Sequence, residues 1–413
     1  MMSYETTFIA DTSFNIHAER GKGGLFALYK KTSGNLFELH HRLPSYKDVI
    51  DMDVRVPIGC EYKVVCQDAP SVLVITFDDG RVLDLMYVDT TPYLTAIAME
   101  DGMSAKLSLN SCSYRIDYGE WNELPADTYT PDVKKGSKIQ FKAKLTPVEQ
   151  NGIGTFSFTK NVSLSGSPMS LLFADEEYGE LPEWAFSRLF SGCSTILNVS
   201  EDFLPASKMS LRCYFRLFEE CSNLQNAPQL PSNDLAEGCY AMMYVLCTSL
   251  HTHPDLPAEE AKKECYRLMF RDAGIVTPPA INLTEVAEGC CRQMFMRCMN
   301  LKTAPALNAE LYMTSPTYVY HAMFSGCSSL EVAPELNNYI VPTLCYNEMF
   351  KDCSSLRYIK CLRVNGSGSF KDWVSGVASE GKFVKFNVWN ASIGVNGIPD
   401  GWEVEELDWT QKD

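Results

Sequence analysis

Leu235-Ala236-Glu237-Gly238-Cys239-Tyr240-Ala241-Met242-Met243-Tyr244-Val245-Leu246-Cys247 is the stretch on which the reading of this chain turns. Leu235, Cys239, Tyr240, Met243, Tyr244 and Cys247 fall at i, i+4, i+5, i+8, i+9 and i+12. That spacing predicts one apolar stripe of an α-helix, with Asn233 and Asp234 as N-caps. Outward from it, the same pattern returns at Leu189-Phe190-Ser191-Gly192-Cys193, Leu217-Phe218-Glu219-Glu220-Cys221, Met294-Phe295-Met296-Arg297-Cys298, Met323-Phe324-Ser325-Gly326-Cys327 and Met349-Phe350-Lys351-Asp352-Cys353. Met269-Phe270-Arg271-Asp272-Ala273 replaces the cysteine by alanine, and successive copies start 25 to 29 residues apart.

The copies share their flanks. Eight residues before the anchor stand Cys213, Cys239, Cys265, Cys290 and Cys345. Three after it come Ile196, Leu224, Leu250, Val276, Leu301, Leu330 and Leu356. Pro228, Pro254, Pro305 and Pro334 follow, then Leu230, Leu256, Leu307 and Leu336. Proline cannot donate to a ladder, so it marks the start of a short strand. A helix and a strand in so few residues cannot bury their own apolar stripe, whereas stacked copies share one core. The expected fold from Leu181 to Leu362 is therefore an α/β leucine-rich-repeat solenoid of about seven repeats. Two helical turns separate Cys239 from Cys247, about 12 Å and too far for a disulfide. The cysteines read as reduced, small, apolar packing residues in ladders along the core. No CxxC occurs, and eight-residue spacing is not that of a zinc site.

Around the repeats the sequence predicts three further regions. Residues 91–173 alternate as short strands do, at Ala105/Leu107/Leu109, Tyr114/Ile116/Tyr118, Ile139/Phe141/Ala143/Leu145, Phe156/Phe158 and Val162/Leu164, and suggest an immunoglobulin-like β-sandwich. Residues 1–90 read as a separate β-rich attachment domain. There Leu25–Tyr29 and Leu36–Leu39 flank Thr32-Ser33-Gly34-Asn35, and Val72–Phe77 and Val82–Val88 flank the hairpin signal Asp78-Asp79-Gly80-Arg81. The solenoid is assigned to 174–362 and a C-terminal cap to 363–413. In the cap Phe370–Val377 reads as a short helix, Phe383–Asn387 and Trp402–Val404 read as strands, and Trp373, Phe383, Trp389 and Trp402 cover the last repeat.

Composition narrows the function. The chain has 413 residues and a net charge of −16, which argues against nucleic acid as a partner. No run of apolar residues is long enough for a membrane span. The first residues, Met1-Met2-Ser3-Tyr4-Glu5-Thr6-Thr7, lack the basic and apolar regions of a secretion signal, so synthesis without export is expected. The 16 cysteines then read as thiols rather than a disulfide framework.

No catalytic, cofactor or metal constellation stands out. Gly21-Lys22-Gly23-Gly24 lacks the phosphate-loop frame. His40-His41 has no metalloprotease glutamate, and His251 and His253 have no partner in adjacent repeats. His321 reads as an interior or edge histidine, Asp175-Glu176-Glu177 as a solvated acidic run, and Gly366-Ser367-Gly368-Ser369 as a turn rather than a nucleophile elbow. Paired carboxylates of glycosidase type are not evident. If the array binds, exposed residues beside the strand leucines, Gln229, Asp255 and Glu335, are the expected contacts, although no binding residues are assigned.

The repeat closely resembles the BspA-like leucine-rich repeats of Bacteroidales, whose units read Met-Phe-x-x-Cys-x-Ser-Leu and then Ala-Pro-x-Leu; Met323 to Leu336 is near that consensus. Asp117-Tyr118-Gly119-Glu120-Trp121, Gly136-Ser137-Lys138-Ile139-Gln140-Phe141 and Ser165 to Leu172 resemble the β module that often precedes such repeats. Ile398-Pro399-Asp400-Gly401-Trp402 resembles their C-terminal cap. About three-quarters of the chain is covered, and residues 1–90 lie outside the resemblance. The resemblance implies a non-enzymatic surface adhesin or, because the start lacks an export signal, a virion protein of a phage infecting such bacteria: a tail-fibre or capsid-decoration subunit used in host attachment. Implied partners are other virion proteins through residues 1–90, a host surface protein or glycan, and further copies of the chain, with no nucleic acid and no membrane insertion. The implied location is the virion, with the bacterial cell surface as alternative.

Overall fold

A computed structural model describes residues 93–411 except 313–314 and 364–369, together with the backbone of eight strands between 4 and 84. The chain divides into two compact units, Met1–Pro92 and Tyr93–Asp413.

The first unit holds β1 (Tyr4–Ala10), β2 (Phe14–Arg20), β3 (Phe26–Ser33), β4 (Leu36–Leu43), β5 (Val49–Val54), β6 (Cys60–Cys66), β7 (Pro70–Phe77) and β8 (Val82–Asp84). They form two four-stranded sheets, β1-β6-β3-β4 and β5-β2-β7-β8, with antiparallel pairing throughout. The strands expected on either side of 34–35 and of 78–81 pair as β3·β4 and β7·β8. The residues between those strands, and 85–88, lie outside the described residues.

In the second unit the alternating segments become β9 (Leu94–Ala98), β10 (Ala105–Leu107), β11 (Cys112–Ile116), β12 (Asn122–Leu124), β13 (Lys138–Lys142), β14 (Phe156–Phe158) and β15 (Val162–Ser165). Alternation puts Phe141, Ile139, Ala96 and Leu164 on the buried face. The immunoglobulin-like sandwich is not what forms. Six strands make one sheet, β12-β11-β13-β9-β15-β16, and only β10 and β14 make a second. The sixth strand, β16 (Ile196–Val199), belongs to the first repeat and pairs in parallel with β15. The first repeat adds a parallel edge strand to the large sheet, and the other sheet is only a two-stranded ribbon.

The α/β leucine-rich-repeat solenoid is likewise not found. Apart from the four-residue helix α1 (Ser170–Phe173) and the 3-10 turn Trp409–Gln411, the described residues contain no helix, and none lies in a repeat. Each predicted helix is instead a run of tight turns stacked on its neighbour. Between 184 and 193, the N–H groups of Ala185, Ser187, Leu189, Ser191 and Cys193 donate to the carbonyl three residues back, at 3.0–3.3 Å. Those of Trp184, Phe186, Arg188, Phe190 and Gly192 donate to Leu211, Cys213, Phe215, Leu217 and Glu219 of the next copy, at 2.7–3.0 Å. A helix would use every one of these N–H groups within its own segment. Every fourth residue takes a positive φ, as at Arg212, Arg216 and Glu220. The left-handed region disfavours side chains by about 1–2 kcal/mol each. The bonds between copies are what hold these residues there.

The strand expected after each proline is also mostly absent. Single parallel bridges such as Leu256↔Ile281 and Leu336↔Cys361 join the copies, and β17 (Tyr358–Lys360) is the one strand of this region besides β16 among the described residues. Beyond it, the helix expected at 370–377 is one more rung of turns, with Phe350 N–H on Trp373 O. β18 (Lys382–Phe386) and β19 (Glu403–Leu407) extend β17 into a parallel three-stranded sheet. Trp373, Phe383, Trp389 and Trp402 are buried there, and the indoles of Trp373 and Trp402 donate to Gly397 O and Ala378 O at 2.8 Å.

Two aromatic columns run through the core. Phe190, Phe218, Tyr244, Phe270, Phe295, Phe324 and Phe350 stack with centroids 5.5–5.8 Å apart. Phe186, Tyr214, Tyr240 and Tyr266 form the second column, which Cys291 interrupts before Tyr320 and Tyr346. The fourteen described cysteines are all buried and unpaired. The anchor thiols of Cys221, Cys247, Cys298, Cys327 and Cys353 donate to the carbonyls of Phe190, Phe218, Phe270, Phe295 and Phe324 at 2.9–3.1 Å. At the copy lacking this cysteine the backbone itself closes in: Gly274 N–H reaches Cys247 O at 3.1 Å. That copy is one residue shorter. Its buried aliphatic is Ile275, and Val276, aligned with the leucines by sequence, is exposed.

Candidate binding surfaces

The turns direct the third and fourth residues of each period away from the aromatic columns, in register from copy to copy, although Trp184, Ser187, Ala241, Val245 and Leu268 among them are buried. In the five stacked segments 184–192, 212–220, 238–246, 264–272 and 289–297 this yields seven arginines, Arg188, Arg212, Arg216, Arg267, Arg271, Arg292 and Arg297, against four carboxylates, Glu219, Glu220, Glu264 and Asp272. Arg297 is exposed and the other six arginines are half-buried. Arg297 grips Asp272 with both prongs at 2.6 and 2.7 Å, yet its side chain is 45% exposed and that of Asp272 only 11%. Arg212 reaches Glu264 two copies away at 3.8 Å across Gly238, where an added Cβ would lie 2.9 Å from Arg212 Cγ. Arg267 pairs with the same carboxylate at 3.4 Å. Arg212 also stacks over Trp184, and Arg292 over Tyr318. Exposed Leu246 sits among these groups, with Met242 beside Arg216. Glu219, Glu264 and Asp272 are less exposed than the arginines they pair with, whereas Glu220 is exposed, and seven arginines against four carboxylates leave this face cationic on a strongly acidic chain.

A second cluster covers the outer face of the six-stranded sheet. Pairing aligns Arg115, Gln140, Thr95 and Ser165 across four strands, and Arg115 Nε donates to Gln140 Oε1 at 2.8 Å. Arg115 is buried beneath Tyr93, Tyr118 and Trp121. Lys142 lies 4.3 Å from the Trp121 ring and pairs with Asp175 at 2.7 Å. Burial pulls the Asp175 carboxyl upward, but the hydrogen bonds from Lys142 and Tyr93 outweigh it, and its pKa falls below the ordinary aspartate value. The chain's own cations thus occupy these aromatic faces. A cavity of about 540 Å³ opens between 178–181 and 205–208, bridged by the Lys208–Glu180 pair at 2.9 Å.

The residues singled out by sequence are only partly brought together. Gln229 and Asp255 are exposed neighbours, with Asp255 N–H on Gln229 Oε1 at 3.2 Å. Glu335 stands apart, held by Lys360 at 3.0 Å. His251 is exposed, and His253 contacts Pro254 O at 3.3 Å. His321 is half-buried, and desolvation and the Arg292 charge lower its pKa. In the acidic run, Asp175 and Glu176 are paired with Lys142 and Lys144, and Glu177 is exposed. Gly21–Gly24, Gly366–Ser369 and the side chains of His40 and His41 lie outside the described residues. Among the described residues no cluster of histidine, cysteine or carboxylate side chains has the geometry to hold a metal, and no helix is long and apolar enough to cross a membrane. The arginine face was missed by sequence because its residues lie one to nine positions before the anchor, in no fixed column until the turns are stacked. No family model, curated protein or solved structure matches this chain.

Proposed function

We propose that this chain is a non-enzymatic structural protein of a phage particle, a fibre or decoration subunit, that displays its stacked turns as a contact surface. The observation that carries the binding role is the arginine face: seven arginines, one exposed and six half-buried, against four carboxylates, three of them less exposed than their partners, on a chain of net charge −16. Arginine and methionine are among the residues enriched at protein interfaces. The stack behind it is closely packed, so the face is held in one arrangement before any partner arrives. The particle assignment rests on the resemblance of Met323 to Leu336 and of the flanking motifs to modules found in such virions. The fourteen buried, unpaired thiols fit assembly in a reducing cytoplasm. Residues 1–90 would supply the contact to other particle proteins, and the cationic face would meet an acidic host protein or glycan.

Mass spectrometry of density-purified particles from a lysed host culture tests the assignment. Stoichiometric recovery of peptides from this chain is expected. Recovery instead by surface labelling of intact, uninfected cells would replace it with a cell-surface adhesin. Release of sugars from host capsule by the purified chain would overturn the non-enzymatic reading.

A further inference from the structure

The last rung of the stack ends on an open edge. β19 pairs with β18 on one side, and the strand order β17-β18-β19 leaves its other side without a partner strand among the described residues. Glu403 N–H donates to Gly381 O at 2.9 Å, and Leu407 O accepts from Asn387 N–H at 2.9 Å. In a parallel strand, alternate residues turn their backbone groups to opposite sides. Residues 403, 405 and 407 therefore serve β18, and Val404 and Glu406 direct their N–H and C=O groups outward. The same rung exposes apolar side chains: Ile393 is 72% exposed, Val395 46% and Val404 40%. Val395 belongs to this rung because its carbonyl accepts the Val374 N–H. In the preceding copies the corresponding backbone groups meet another rung; here they meet none among the described residues.

The side chains along the edge indicate what can cover it. Glu403, Val404, Glu405, Glu406 and Asp408 make it acidic, and Lys382 and Lys385 pair with only Glu405 and Glu406. A second copy laid antiparallel on this edge would set glutamate against glutamate, which is destabilising. A strand carrying lysine or arginine at alternate positions would meet carboxylates, and its apolar positions would meet Val404. We propose that the outer edge of β19 docks an extended, basic segment of a partner protein by β-strand addition. This inference does not depend on the particle assignment, since an adhesin would carry the same edge.

The test uses the full chain and a short fluorescein-labelled peptide of alternating lysine and valine, followed by fluorescence anisotropy at low salt. Saturable one-to-one binding is expected. Val404→Pro removes an outward N–H and no bond to β18, a substitution that edge strands tolerate. It should weaken binding about tenfold or more. Glu403→Lys should weaken it several-fold, and decides the matter if the proline variant does not fold. Three results would overturn the proposal: no saturable binding, equal binding by a folded Val404→Pro or Glu403→Lys variant, or self-association of the chain that either substitution abolishes.

Discussion

Replacing Cys298 by leucine probes how closely the stack is packed. Cys298 has no exposed surface, and its thiol donates to Phe270 O at 2.9 Å. Leucine adds volume where neighbouring turns already touch, and overpacking costs about 1–3 kcal/mol. The lost hydrogen bond adds about 0.5–1.5 kcal/mol. Together they give a destabilisation of about 2–4 kcal/mol. With a urea slope of about 3 kcal/mol/M, the midpoint of the transition should fall by about 0.7–1.3 M. Tryptophan fluorescence is a suitable signal, because Trp373, Trp389 and Trp402 lie in the same stack. Cys298→Ala separates the two terms. It loses the thiol donor and leaves a small void, and should cost about 1–2 kcal/mol. Both variants should keep the wild-type slope if unfolding stays cooperative. A Cys298→Leu protein with an unchanged midpoint would refute the enclosed position assigned to this thiol.

Gly274→Ala should destabilise the protein by about 3 kcal/mol, since the added Cβ would lie 2.1 Å from Thr248 O, where only backbone could yield; a thermal midpoint within a degree of wild type would contradict that. The fourteen buried thiols should resist an aromatic disulfide reagent at pH 8 until denaturant is added, because burial pushes Cys193, Cys213 and Cys345 up to about 12; rapid reaction of any of the fourteen in the native protein would count against it. Asp175 has a depressed pKa in the folded protein, so its contribution is present above the unfolded aspartate value near 3.8 and is lost as pH falls through the folded one. Asp175→Asn should therefore lower the urea midpoint at pH 7 and leave it nearly unchanged at pH 2.5; equal effects at both would show that the charge is immaterial.

Much of this organisation was written along the chain, and its misreading is instructive. Leu235, Cys239, Met243 and Cys247 recur every four residues without drift, and all are buried. On an α-helix of 3.6 residues per turn, that stripe would wander by roughly 120° over twelve residues. A strict period of four is the signature of stacked four-residue turns, and the helical reading ignored the drift. The anchor cysteine was rightly placed in the interior, but not as a mere small hydrophobe: its thiol answers a carbonyl of the neighbouring copy. Val276 shows the limit of alignment, since a one-residue deletion moved the buried place to Ile275.

By itself, then, the sequence determined where the copies lie, which residues face inward and that the thiols are core. Those follow from local periodicity and from the aversion of apolar side chains to water. Only the tertiary structure decided the backbone, because half of each rung's N–H groups are satisfied by the next rung and no single copy contains its own partner. The joining of the β module to the first repeat through β15·β16, the arginine face and the open edge of β19 were decided there too. Each arises from which segments come to lie side by side, and residues 25 to 29 apart become neighbours only once the copies are stacked.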